Sequence, residues 1–157
     1  MEQHSESYFA YGSNMDPRLM QRNCPDAVSL GVGRLDGYRL EFTVYSERWE
    51  GGAANLEVDS DGRVWGVVWA VTQNDLEKLD TYVGHPTFYR REDVRVRLGE
   101  RWADCVTYRV AHQRGFVRPT DSYLARMRQA IRMQGLPPEA IDMLDQAARP
   151  PKPSIST

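Results

Sequence analysis

The chain of 157 residues has only two cysteines, Cys24 and Cys105, and three histidines, His4, His85 and His112. The cysteines lack metal-ligand spacing and the histidines are scattered, so no metal site is expected. Two isolated thiols suit a reduced, cytoplasmic protein better than a disulfide scaffold. An excess of charge of either sign is missing too. With 20 basic and 22 acidic residues the net charge is −2, which argues against nucleic acid or an anionic membrane as partner. No apolar run is long enough to span a bilayer. Residues Met1 to Ser7 are polar and include Glu2 and Glu6, unlike a signal peptide. There is no internal repeat and no sign of a second domain. The hydrophobic fraction of 41% suits one globular core. We expect a single domain over residues 1–149 and a disordered tail over 150–157, where Pro150, Pro151 and Pro153 crowd together.

What is present is concentrated near the start, in Tyr8-Phe9-Ala10-Tyr11-Gly12-Ser13-Asn14-Met15. Tyr8, Phe9 and Ala10 read as a short buried strand. Gly12 permits a tight bend, at an expected positive φ. Ser13 and Asn14 are turn and cap residues. Asp16-Pro17 opens a helix. Strand, glycine turn and helix start together aim several unpaired N–H groups at one spot. An anion, or a carbonyl oxygen gaining charge, fits there. The same residues also make an ordinary strand-to-helix turn.

Further along, residues 33–45 contain a strand in which Tyr38, Leu40 and Phe42 alternate with Arg39, Glu41 and Thr43. A strand over 53–58 is expected to reach a hairpin turn at Asp59-Ser60-Asp61-Gly62. Val64 to Val71 is apolar on both faces, as in a strand buried on two sides, and Gly66 marks a bulge or close backbone approach. Thr72, with Asp75 three residues on, starts a helix that ends near Tyr82-Val83-Gly84. Residues 88–98 and 102–110 read as paired strands. Arg91, Arg95 and Arg97 lie on one face of the first, a solvated face rather than a binding patch. Pro119-Thr120-Asp121 and Pro137-Pro138 open the last two helices. Short turns join most strands, so the sheet is expected to be largely antiparallel, closed as a barrel, with helices outside.

Three motifs in this order carry a family resemblance. They are Tyr8 to Met15; Val64-Trp65-Gly66-Val67-Val68-Trp69; and Leu79-Asp80 followed by Gly84-His85-Pro86 and Tyr89-Arg90-Arg91. From about residue 7 to about residue 125 the chain resembles the gamma-glutamylcyclotransferase-like (AIG2-like) proteins. The resemblance implies a small α+β fold with a mostly antiparallel, six-stranded barrel-like sheet and a few packed helices. It implies a reaction on a small L-γ-glutamyl amine or amide, whose α-nitrogen attacks its own side-chain carbonyl to give 5-oxoproline and a free amine. It implies a small-molecule substrate, with no cofactor and no metal. The family's binding loop corresponds here to Tyr11, Gly12, Ser13, Asn14 and Met15. Tyr89 and Tyr123 match pocket tyrosines.

One departure stands out. The family carries a glutamate just before the glycine of its Leu-Asp-x-x-Glu-Gly segment, where it moves the proton from the α-ammonium to the leaving amine. By the resemblance that position is Val83, and valine can neither give nor accept a proton. Asp80, His85 and Glu50 are candidate replacements, and Tyr82 flanks the site. Glu92 and Asp93 lie farther along. A well-placed acid–base group contributes about 10²- to 10⁴-fold in rate. The sequence therefore leaves three readings: a cyclotransferase with a displaced base, an enzyme reusing the pocket for another small acyl or amide reaction, and a binding protein without catalysis. It specifies neither the amine, the pathway nor the oligomeric state.

Overall fold

In a computed structural model, which describes residues 3–112 and 114–151, the chain begins with β1 (Glu6–Ala10). A single 3₁₀ turn (Ser13–Met15) leads into α1 (Pro17–Asn23). Two long strands follow, β2 (Val28–Ser46) and β3 (Gly51–Val71), then α2 (Gln73–Val83). The strands β4 (Tyr89–Leu98) and β5 (Arg101–Val110) precede α3 (Asp121–Met133) and α4 (Pro138–Ala147). The strands close into a barrel in the order β1-β3-β2-β4-β5. All pairings are antiparallel except the closing one, where Tyr8 of β1 meets Val106 of β5 in parallel. This is the expected α+β barrel, with five strands where six were expected.

The difference in count arises in β3. The expected hairpin turn at Asp59-Ser60-Asp61-Gly62 is not a chain reversal. Asp36 pairs with Arg63 and Tyr38 pairs with Val58, so these four residues bulge opposite Gly37 while β3 continues in one direction. A Cβ at Gly62 would run into the carbonyl of Tyr38. Gly62 is there for close approach, and the partner strand β2 overrides the local turn signal.

The second half of β3 is the centre of the core. Val64, Val67, Val68 and Val71 are fully buried, as a strand covered on both faces requires. At Gly66 a Cβ would sit 2.8 Å from the Phe9 ring and against the Ala10 carbonyl. The glycine thus lets β1 lie tightly on β3 just before the turn into Ser13–Met15. Val94, Val96 and Leu98 of β4 are buried, whereas Arg91, Asp93 and Arg95 are exposed and Arg97 is half-buried.

Two helices are fixed by local capping. The Thr72 hydroxyl accepts from Asp75 N–H at 3.0 Å, and the Asp75 carboxylate accepts from Thr72 N–H at 3.0 Å. This reciprocal box starts α2. Gly84 at φ 78° ends it, which makes Val83 the last helical residue. At α3 the Thr120 hydroxyl accepts from Tyr123 N–H and so fixes Tyr123 in the first turn. No helix of the described residues is long and apolar enough to cross a membrane. Residues 152–157 of the expected tail lie outside the described residues.

Candidate active site

Between the turn after β1, the end of α2 and the start of α3 lies a cavity of about 90 Å³. Tyr11, Gly12, Ser13 and Asn14 form one wall. Val83 and Tyr89 lie on another, and Tyr123 and Ala54 close it from a third side. The expected binding residues are therefore brought together, with one exception. Met15 is fully buried behind the loop and does not reach the cavity. Its carbonyl accepts from the Gln134 side chain at 3.0 Å.

The loop is held by side chains from distant elements. Asp16 is fully buried at the α1 N-terminus, where its carboxylate accepts from Arg18 N–H and pairs with Arg18 and Arg126. Burial works to raise the Asp16 pKa, but the bonds and charge of the two arginines outweigh it and hold it below the usual value. The Asn14 carbonyl accepts from the Trp69 indole at 3.1 Å, and its amide donates to the Tyr8 hydroxyl at 3.1 Å. The N–H groups of Met15 and Asp16 close the 3₁₀ turn on Gly12 and Ser13. Tyr123 lies beside this loop in the cavity wall, and its hydroxyl accepts from Ala54 N–H at 3.4 Å. Gly12 has φ −117°, which corrects the expected positive φ. A Cβ there would lie 3.4 Å from the Tyr123 hydroxyl and 3.5 Å from the Ala54 Cβ. Gly12 keeps cavity space open; it does not supply a left-handed bend.

Aromatic side chains dominate the lining. Tyr8, Tyr82, Tyr108, Trp49 and Phe88 join Tyr11, Tyr89 and Tyr123. Sequence reasoning did not place Tyr8, Trp49, Phe88 or Tyr108 in the site. The richness in tyrosine was the available signal, but their convergence depends on barrel closure. Tyr11 donates to the Tyr108 carbonyl, Tyr89 to the Ala54 carbonyl at 2.6 Å, and Tyr108 to Asp80 at 2.6 Å. Burial raises the pKa of Tyr8, Tyr11, Tyr89 and Tyr108, and pushes Tyr123 up to about 12. These phenols stay neutral at physiological pH and act as hydrogen-bonding groups, not as bases.

The three candidate bases lie elsewhere. Asp80 is engaged by Arg91, at 2.8 and 2.7 Å, and by the Tyr108 hydroxyl. His85 Nδ1 accepts from Arg91 N–H at 3.2 Å, on the outer side. Glu50 is exposed in the β2–β3 loop at φ 56°. None of the three lines the cavity, and no carboxylate does among the described residues. Arg48 is the one charged side chain in its wall. Among the described residues no group of three or more His, Cys, Asp or Glu is placed to hold a metal.

The chain is thus a closed barrel with an aromatic cavity walled by a strand–turn–helix loop. Comparison with known proteins gives the family. Its profile, described as "Gamma-glutamyl cyclotransferase, AIG2-like", matches residues 8–125. The chain is 32% identical to bovine gamma-glutamylcyclotransferase over 138 residues, covering 84% of this chain and 73% of that one. It is 29% identical to the human protein of the same name over 144 residues, covering 88% and 76%. A solved structure titled "Gamma-glutamyl cyclotransferase" superposes with a TM-score of 0.85 at 28% identity, covering 96% of this chain and 92% of that one. The chain belongs to the gamma-glutamyl cyclotransferase, AIG2-like family.

Proposed function

We propose that this protein binds a small L-γ-glutamyl amine or amide in the aromatic cavity and converts it slowly to 5-oxoproline and the free amine. The observation that carries this reading is the cavity itself. The loop residues Tyr11 to Asn14, with Tyr89 and Tyr123, surround one open space, and Val83 lies in its wall where the family resemblance puts the catalytic glutamate. The hydroxyls of Tyr8 and Tyr123, which accept from N–H donors and can turn their own protons to the cavity, suit a ligand carbonyl that gains negative charge as the α-nitrogen attacks. No carboxylate of the lining can relay the proton, so turnover is expected to be slow. The reaction draws on no cofactor.

A second reading has its own support. A lining without carboxylates and rich in aromatic rings suits another small acyl or amide reaction with different proton demands. The test is incubation of the protein with a panel of γ-glutamyl amines, with 5-oxoproline followed by mass spectrometry. Slow but enzyme-dependent 5-oxoproline formation supports the first reading. Binding of the panel without 5-oxoproline favours a non-catalytic binding protein, and absence of both favours the second reading.

A further inference from the structure

We infer that the Tyr82 hydroxyl is the proton relay of this cavity, facing the substrate beside Val83 in place of the missing carboxylate. The inference rests on the cyclotransferase reading above. Tyr82 directly precedes Val83 in the last turn of α2, and both line the cavity. Its Oη is the one buried side-chain polar atom among the described residues that has no hydrogen-bond partner. The other cavity tyrosines are engaged: Tyr11, Tyr89 and Tyr108 donate to protein oxygens, while Tyr8 and Tyr123 accept from N–H donors. A buried hydroxyl without a partner is unfavourable unless something fills the vacancy. In a ligand cavity that something is the ligand.

The surroundings fit a group that handles a proton. The Arg48 guanidinium lies 3.8 Å above the Tyr82 ring centre, and its Nη1 donates to the Tyr82 carbonyl at 3.3 Å. This clamp from the β2–β3 loop fixes the ring. Tyr8 from β1 and Tyr123 from α3 lie within electrostatic reach of Tyr82. No acidic side chain shares the cavity lining with it.

A phenol oxygen both donates and accepts a hydrogen bond, so it can pass a proton without a net change. The substrate α-ammonium first loses one proton to water. The free α-nitrogen then attacks the γ-carbonyl carbon, and the C–N bond of the five-membered ring forms. The proton leaving that nitrogen passes to Tyr82 Oη as Tyr82 gives its own proton to the departing nitrogen. The bond from that nitrogen to the carbonyl carbon breaks. Tyrosine ends as it began, and the products are 5-oxoproline and a neutral amine.

The test compares wild type, Tyr82→Phe, Val83→Glu and the double variant on L-γ-glutamyl-L-alanine, with 5-oxoproline measured by mass spectrometry and folding by circular dichroism. Tyr82→Phe is expected to lower kcat on the order of 10²-fold with little change in KM. In the Val83→Glu background the same change should cost far less, because the carboxylate then carries the proton. Unchanged kcat, or a rise in KM alone, overturns the relay and leaves the cyclotransferase reading standing. Absence of 5-oxoproline from both wild type and Val83→Glu overturns that reading and the relay with it. If Tyr82→Phe does not fold, 3,5-difluorotyrosine at position 82 keeps ring and hydroxyl. It shifts the pH–rate profile if the hydroxyl takes part, and an unmoved profile overturns the relay.

Discussion

The hydroxyl of Tyr108 donates to Oδ1 of Asp80 at 2.6 Å, on a carboxylate that Arg91 already grips with two nitrogens. The bond joins β5 to the end of α2 and so positions the cavity wall that carries Val83. It also removes Asp80 from the search for a base.

Asp80 should behave as a structural anion. Burial works to raise its pKa, but the hydrogen bonds from Arg91 and Tyr108 outweigh it and hold the pKa below the usual value. A carboxylate depressed in the folded state contributes stability above its unfolded pKa of about 4. That contribution is lost as the pH falls below 4 through the folded value. Asp80→Asn is expected to cost about 1–2 kcal/mol at pH 7 and clearly less at pH 3, by urea denaturation. The rate of 5-oxoproline formation per folded molecule should change little. A large rate loss at preserved stability would restore Asp80 as a candidate base.

Gly12→Val should empty the site of ligand without unfolding the chain. The backbone at φ −117° is outside the left-handed region, so the added side chain acts by filling space toward Tyr123 and Ala54. Calorimetric affinity for 5-oxoproline is expected to fall at least about tenfold, or 1.4 kcal/mol. Gly12→Ala should lie between the two. Equal affinity in all three proteins would place the ligand elsewhere.

Val83→Glu should raise 5-oxoproline formation on the order of 10²-fold. Val83 is half-buried in the cavity wall, next to neutral phenols, which favours a raised carboxylate pKa and so a useful base. Burying the carboxylate costs about 1–3 kcal/mol unless water or substrate bonds to it. Rate and thermal stability are therefore measured on the same preparation. A folded variant with no 5-oxoproline would point to a pocket remodelled for another ligand.

Gly66→Ala tests the packing that presents the loop. A methyl there meets the Phe9 ring at 2.8 Å and the Ala10 carbonyl. Overpacking of this kind costs about 1–3 kcal/mol, readable as a lower midpoint in denaturant. Because β1 must shift, ligand affinity should fall as well. An unchanged midpoint would mean that β1 is free to move away from β3.

The sequence by itself determined the features that depend on neighbours a few residues apart. The Thr72–Asp75 box, the left-handed Gly84, the Thr120 cap and the alternation of Val94, Val96 and Leu98 are all local. The strand–turn–helix loop and the barrel class were legible for the same reason. Only the tertiary structure decided what depends on distant partners. Tyr11 meets the carbonyl of Tyr108 across 97 positions of sequence, and Asp16 meets Arg126 across 110. Asp59 to Gly62 has the composition of a turn, yet pairing with β2 on both sides keeps it a bulge within one strand. Gly12 carries the same letter whether it bends the chain or keeps a cavity open, and Tyr123 and Ala54, brought close by barrel closure, make it the second. Asp80 and Tyr82 are two positions apart on one helix. Barrel closure gives one of them Arg91 and Tyr108 as partners and leaves the other in the cavity lining, its buried hydroxyl without a partner.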